Sequence, residues 1–283
     1  MAWYFVSVWG SGYLATKIGI QYAAPFTFLS LRYAFGLLCL APVLALLRPP
    51  WPGTPRELGH VVAAGLLMHG IQLSGTHYAQ YLGLSAGVVA VILAAQPLLT
   101  ALAARRWMHE RLAPRQWTGV ALGLAGVLLV VWHKIDVREM SVAALIAVMT
   151  GLVGVTAGTL YQRLFCPTVN LYSAASVQFA ASLLVLLPLA FAVEGARVRW
   201  AWPLLGSIAF LVVFASIFAV NALHTLMRHG QATKVTSILY FTPIFAVVLE
   251  YLIFDVLPSA VTWVGIAITC LGVALVTARG ARG

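Results

Sequence analysis

Gly65, His69, Gln72, Thr76 and Gln80 recur at spacings of three and four, which in a helix places them on one face. The chemistry they offer is neutral: an imidazole, two carboxamides and a hydroxyl donate and accept hydrogen bonds without a fixed charge. Such a stripe suits an uncharged or zwitterionic solute. Further candidate contacts of compatible type are Trp9, Ser11, Tyr78, Gln96, Asn221 and Tyr240, with Trp9 and Tyr240 offering rings for stacking. The competing reading is that these groups only hydrogen-bond neighbouring helices.

The acids narrow the chemistry further. Five of the seven, Glu57, Glu110, Asp136, Glu139 and Glu194, fall between apolar runs, Asp255 falls at the end of one, and only Glu250 lies inside one. A carrier of cationic drugs is expected to hold its substrate on a mid-membrane carboxylate, and a carrier of phosphorylated solutes needs fixed cations there. Glu250 lies about four residues, roughly 6 Å, from the outer end of its run. It is expected to pair with Lys17 or Arg32 as an outer-side ion pair rather than to meet the substrate. Pro97 and Pro243 each remove a backbone donor, so each is expected to kink its helix, serving either as a hinge or as a static bend that shapes the bundle.

The elements that must position these residues are membrane spans. Of 283 residues, 62% are hydrophobic and 8% are charged, against about 25% charged in soluble domains. Counting runs of about 20 apolar residues gives ten expected spans: 2–22, 27–47, 59–82, 85–105, 114–132, 141–163, 170–193, 203–227, 231–254 and 258–278. The net charge of +10 sits in short gaps between these runs rather than in a continuous stripe, which argues for membrane orientation and against nucleic acid. Eleven Lys and Arg gather on one side and four, Lys134, Arg138, Arg197 and Arg199, on the other. The positive-inside rule then puts both termini in the cytoplasm. The opening MAWYFVSVWG lacks a basic region, so the first span is expected to remain in the chain. Cys39, Cys166 and Cys270 have no metal-binding spacing and read as packing residues.

The chain also repeats itself. QPLLTALAARRWMHERLAPRQWTGVALGLAGVLLV aligns with TPIFAVVLEYLIFDVLPSAVTWVGIAITCLGVALV, setting Pro97 on Pro243, Trp117 on Trp263, Gly119 on Gly265 and Gly126 on Gly272. Each pair is 146 residues apart (243 − 97). An odd number of spans per half inverts the second copy, a pattern found in secondary transporters. The expected fold is therefore an all-α integral membrane protein of ten transmembrane helices, arranged as two inverted five-helix repeats, residues 1–135 and 136–283. Gly119 and Gly123 mark spans 5 and 10 as the place for scaffold or dimer contacts, with the oligomeric state, monomer included, left open.

WGSGYLATK in span 1, APFTFLSLR leading into span 2, and the QPLLTALAARRWMHERLAPRQWTGVALGLAGVLLV segment with its Glu110 resemble the drug/metabolite transporter superfamily in its EamA branch. Val256 stands where Glu110 would recur in the second half. Within that superfamily the chain most resembles the bacterial aromatic and neutral amino-acid exporters of the YddG type. The resemblance implies a secondary transporter of the inner membrane, with a small-molecule substrate and the lipid bilayer as partners and no cofactor or metal. Without a central acid for proton relay, facilitated movement is favoured over proton antiport. The alternatives are a carrier for another small solute or lipid, a non-transporting membrane subunit, and an intramembrane enzyme. HExxH, paired membrane aspartates and a Gly-x-Ser-x-Gly elbow are all missing from the sequence, which disfavours the enzyme.

Overall fold

The computed structural model describes residues 2–107, 112–136, 140–218 and 242–277. These are helical almost throughout. The helices are α1 (Ala2–Gly19), α2 (Pro25–Leu47), α3 (Pro55–Gly65), α4 (Gln72–Tyr81), α5 (Ala86–Leu93), α6 (Gln96–Trp107), α7 (Pro114–Asp136), α8 (Val142–Phe165), α9 (Leu171–Leu189), α10 (Trp202–Ala209), α11 (Thr242–Phe254) and α12 (Ala260–Thr277). Three π-helical segments interrupt or extend them: Leu66–Ile71 between α3 and α4, Ala190–Glu194 after α9, and Phe210–Phe218 after α10. Extended pairing among the described residues is a single bridge, Ala23 to Val198.

Local chemistry sets the boundaries. Thr54 accepts the amide of Glu57 at 3.1 Å and opens α3, Ser85 accepts that of Val88 and opens α5, and Asn170 accepts that of Tyr172 and opens α9, as N-cap residues do. Pro25, Pro55 and Pro114 occupy first-turn positions, where a missing amide costs nothing. Gly83 and Gly195 adopt φ of 98° and 67° at chain reversals, a conformation that glycine takes without penalty.

Six stretches are long and apolar enough to cross a bilayer: Pro25–Leu47, Ala86–Arg106, Pro114–Lys134, Val142–Phe165, Leu171–Glu194 and Ala260–Thr277. Trp202–Phe214 and Thr242–Phe254 are shorter apolar helices. The chain is a multi-pass membrane protein. Expected spans 8 and 9 run into residues 219–241, which lie outside the described residues.

Helix starts follow the 146-residue offset: Pro25 and Leu171, Gln96 and Thr242, Pro114 and Ala260 (171 − 25, 242 − 96, 260 − 114). The π segment Leu66–Ile71, shifted by the same offset, falls inside Phe210–Phe218.

Two compact units cut across the halves of the sequence. Unit 1 takes Met1–Leu14, Leu82–Leu145 and Phe214–Gly283; unit 2 takes Ala15–Tyr81 and Ile146–Val213. In unit 2, α2 packs on its repeat counterpart α9 around a core of Leu29, Tyr33, Leu40, Phe179 and Leu186. In unit 1, α7 packs on its counterpart α12, and α5 packs on α11. Every residue of α5 from Ala86 to Ile92 is buried, as suits a helix that is apolar on all sides.

The α7–α12 contact is glycine-mediated. A Cβ on Gly126 would meet the backbone nitrogen of Thr269 at 2.6 Å and the carbonyl of Gly265 at 2.7 Å. Those atoms belong to a helix backbone and cannot swing aside. Gly126→Ala is expected to force the pair apart and cost about 1–3 kcal/mol, read as a lower thermal unfolding midpoint of the purified protein. Gly206→Ala, where an added Cβ meets nothing within 4 Å, is the control and should leave the midpoint level or raise it.

Candidate functional site

Two carboxylates organise the helix starts. The first three helical residues of a helix have amides with no partner inside it, and in a bilayer no water replaces that partner. In unit 1, Glu250 on α11 is 2% exposed. It accepts the Ala86 amide on Oε1 and the Gly87 amide on Oε2, both at 2.8 Å. Ser85 takes the next amide, that of Val88, so the first turn of α5 is completely satisfied. Gly87 permits the approach, since a Cβ there would stand 3.2 Å from Glu250 Oε2 and run into Val247.

Unit 2 repeats the device with Glu194. Its carboxylate accepts the amides of Phe26 at 2.9 Å and Thr27 at 2.8 Å, and the Thr27 hydroxyl at 2.8 Å. Pro25 has no amide to satisfy, so the first turn of α2 is complete as well. Tyr78 adds its hydroxyl to Glu194 at 3.2 Å and rests its ring 4.9 Å from that of Phe26. Sequence reasoning treated Glu194 as a loop acid and missed this role. Its position just beyond an apolar run, facing the proline-led start of another helix, was the available signal.

The polar stripe lies in unit 2, and the structure splits it. The expected single helix over 59–82 instead begins at Pro55 and passes through the π segment Leu66–Ile71. The wider winding there shifts the register between Gly65 and Gln72. Gly65 faces α9, where an added Cβ would fall 2.7 Å from Gln178 Cα. The His69 ring packs edge-on against Tyr33 of α2 and Phe179 of α9, and the His69 carbonyl accepts the Tyr33 hydroxyl at 2.7 Å. Beyond the π segment, Gln72 and Thr76 lie on α8, whose Gly151 and Gly154 leave room for them. The Thr76 hydroxyl turns back to the carbonyls of Gln72 and Leu73, 3.1 Å each. His77, one residue on, stands 3.4 Å from Thr16 Oγ1.

Some polar atoms in these helices have no partner. Ser30 Oγ, His69 Nδ1, Ser74 Oγ and Gln80 Oε1 are buried in unit 2 without a hydrogen bond. Arg32 sits in α2 between Ser30 and Tyr33 and is half-buried. Lys17 lies near the end of α1 in the same unit.

In unit 1, Trp9 is 43% exposed and the Ser11 hydroxyl donates to the Ser7 carbonyl at 2.6 Å. Gln96 and Pro97 open α6 directly after a break at Ala94 and Ala95. Pro97 has no amide for the Leu93 carbonyl, and the Leu98 amide goes to Ala95 at 3.0 Å instead of Ala94. Pro243 stands in the first turn of α11. Asn221 and Tyr240 lie outside the described residues, as does Glu110.

Glu250→Gln exchanges one carboxylate acceptor for an amide donor facing a helix amide. The variant is expected to lose about 1–3 kcal/mol of stability, visible as a lower thermal midpoint. Glu194→Gln should behave alike, and a midpoint unchanged in both variants would mean that the caps do not hold these helices.

The sequence pattern of the EamA-like transporter family matches residues 1–132 and again 141–278. The chain is 28% identical over 273 residues to the uncharacterized inner membrane transporter YedA of Escherichia coli (strain K12), covering 95% of this chain and 87% of that one. It is 26% identical to the uncharacterized transporter YvbV of Bacillus subtilis (strain 168), covering 87% and 80%. A probable amino-acid metabolite efflux pump of Escherichia coli (strain K12) is 23% identical over 158 residues, 56% of this chain and 50% of that one. A crystal structure with 18% identity superposes at a TM-score of 0.65 over 98% of this chain and 95% of its own, which shows the shared fold. With both halves matched and its helices repeating at one offset, the chain belongs to the EamA-like transporter family, within the drug/metabolite transporter superfamily, and is a membrane transporter.

Proposed function

We propose that this transporter exports neutral, especially aromatic, amino acids across the bacterial cytoplasmic membrane by alternating access, driven by the solute's own gradient. The observation that carries the reading is the kind of polar group left without a partner. Four buried atoms in unit 2, on Ser30, His69, Ser74 and Gln80, are neutral donors or acceptors, while the carboxylates of Glu194 and Glu250 are spent on helix amides. A buried polar atom without a partner is costly, and a polar, uncharged or zwitterionic solute relieves that cost during passage. The remaining acid of unit 2, Glu57, accepts the Gly53 amide at 2.7 Å at the start of α3. The likeness of this chain to a probable amino-acid metabolite efflux pump supports the same solute class.

The proposal includes ten transmembrane helices in two inverted repeats with both termini cytoplasmic, and no enzymatic step. His69 and Gln72 are its strongest solute contacts in unit 2, because the hydroxyls of Thr76 and Tyr78 already serve backbone and Glu194. Pro97 acts as a hinge, because it leaves the Leu93 carbonyl without its amide and regular winding is already broken at Ala94 and Ala95.

Purified protein in liposomes, given labelled phenylalanine, threonine and a sugar nucleotide with and without an imposed pH gradient, tests this reading. Phenylalanine and threonine should move faster than in empty vesicles, the sugar nucleotide should not, and the pH gradient should change little. Amino-acid flux no faster than in empty vesicles overturns the solute class, and strict dependence on the gradient overturns facilitated movement. Pro97→Ala offers the Leu93 carbonyl an amide and should slow flux while leaving the solute KM in place; unchanged flux would remove the hinge.

A further inference from the structure

In unit 2, hydroxyls from two neighbouring helices reach the carbonyls of the π segment Leu66–Ile71 and of the residue before it. The Tyr33 hydroxyl of α2 donates to the His69 carbonyl at 2.7 Å, and the Ser182 hydroxyl of α9 reaches the Gly65 carbonyl over a longer 3.4 Å. Tyr33 is fully buried, with its ring stacked on Phe179 at 5.3 Å and edge-on to the His69 imidazole at 5.9 Å. The winding it meets is wider than α: the Gln72 amide bonds to the Leu67 carbonyl, five residues back.

The repeat separates what packing requires from what the hydroxyl adds. The residue 146 positions after Tyr33 is Phe179 (179 − 33), so the two stacked rings are counterparts that differ by one phenolic oxygen. Gly36 likewise stands where Ser182 would fall in the first half (182 − 36). The duplicated architecture thus builds this position with or without a hydroxyl, and the oxygen that Tyr33 adds goes to a helix carbonyl. A donor entering from the side draws a carbonyl off the helix axis and favours a loosened ladder over straight α winding; π turns are rare and gather at functional sites. The residue held is His69, whose Nδ1 is buried without a partner among the described residues. Just beyond the segment, the Gln72 backbone lies against Gly151 and Gly154 of α8.

We propose that Tyr33 is a positioning residue for transport: by donating to the His69 carbonyl, with Ser182 assisting at Gly65, its hydroxyl holds the π winding and so sets how His69 and Gln72 are presented to solute. This rests on the amino-acid reading above, which takes those two residues as solute contacts, and adds a residue that acts through them without touching solute. Without the hydroxyl the segment gains access to α winding, in which every later side chain turns by about 100°.

Tyr33→Phe removes the one oxygen and gives the position the side chain its counterpart already has. Amide hydrogen exchange of the purified protein over residues 66–72 and phenylalanine flux in liposomes are compared with wild type and with Thr150→Val, a control on α8 whose exposed hydroxyl donates to the Ile146 carbonyl of its own helix. In Tyr33→Phe, exchange over 66–72 should rise about two- to tenfold while exchange along α7 stays at the wild-type rate. The phenylalanine KM should rise by a similar factor, and Thr150→Val should move neither quantity. Unchanged exchange over 66–72 overturns the proposal. So does a wild-type KM, whether exchange is faster or maximal flux is lower, since a purely structural role changes the amount of working protein and leaves KM in place. If the wild type moves no amino acid, that failure belongs to the transport reading, and exchange over 66–72 decides the hold of Tyr33 on the π segment by itself. Should Tyr33→Phe not fold, Ser182→Ala carries both measurements with smaller increases expected, and wild-type values in both overturn the proposal.

Discussion

A helix that begins at membrane depth brings amides that only protein can satisfy, and this constraint places the two acids that organise the described helices. Glu250 and Glu194 come from helices distant in sequence and close the first turns of α5 and α2 with both carboxylate oxygens. A carboxylate is well suited to the task because it accepts two amides and favours the positive end of the helix dipole. Each cap also ties one element to another that local sequence would not bring near. The caps account for two of the acids in or beside apolar runs without any role in recognising solute.

Much of the architecture was legible in the sequence because membranes leave few options. Apolar runs of fixed length, proline-led helix starts and the 146-residue offset all recur in the structure, with Pro114 and Ala260 opening counterpart helices. The glycines that aligned between halves, Gly119, Gly126, Gly265 and Gly272, form the α7–α12 contact. They were readable because close helix approach demands a missing side chain.

What the sequence hid depended on local winding and on contacts between remote elements. Periodicity assumed an α-helix from Gly65 to Gln80, and the π segment Leu66–Ile71 breaks that assumption. Nothing in LLMHGI marks a change of winding, since the alternatives differ by the partner of one amide. Glu250 was recognisable as unusual, but its destination on Ala86 and Gly87 lies more than 160 residues away in the chain.

The π segment has a geometric effect on everything that follows it. One extra residue in a helix turns all later side chains by about 100° relative to unbroken α winding. Gly65 and His69 therefore address α9 and α2, while Gln72 and Thr76, a few ångströms along the same axis, address α8. A single rod thus serves two walls, and a second π segment stands at the equivalent place after α10.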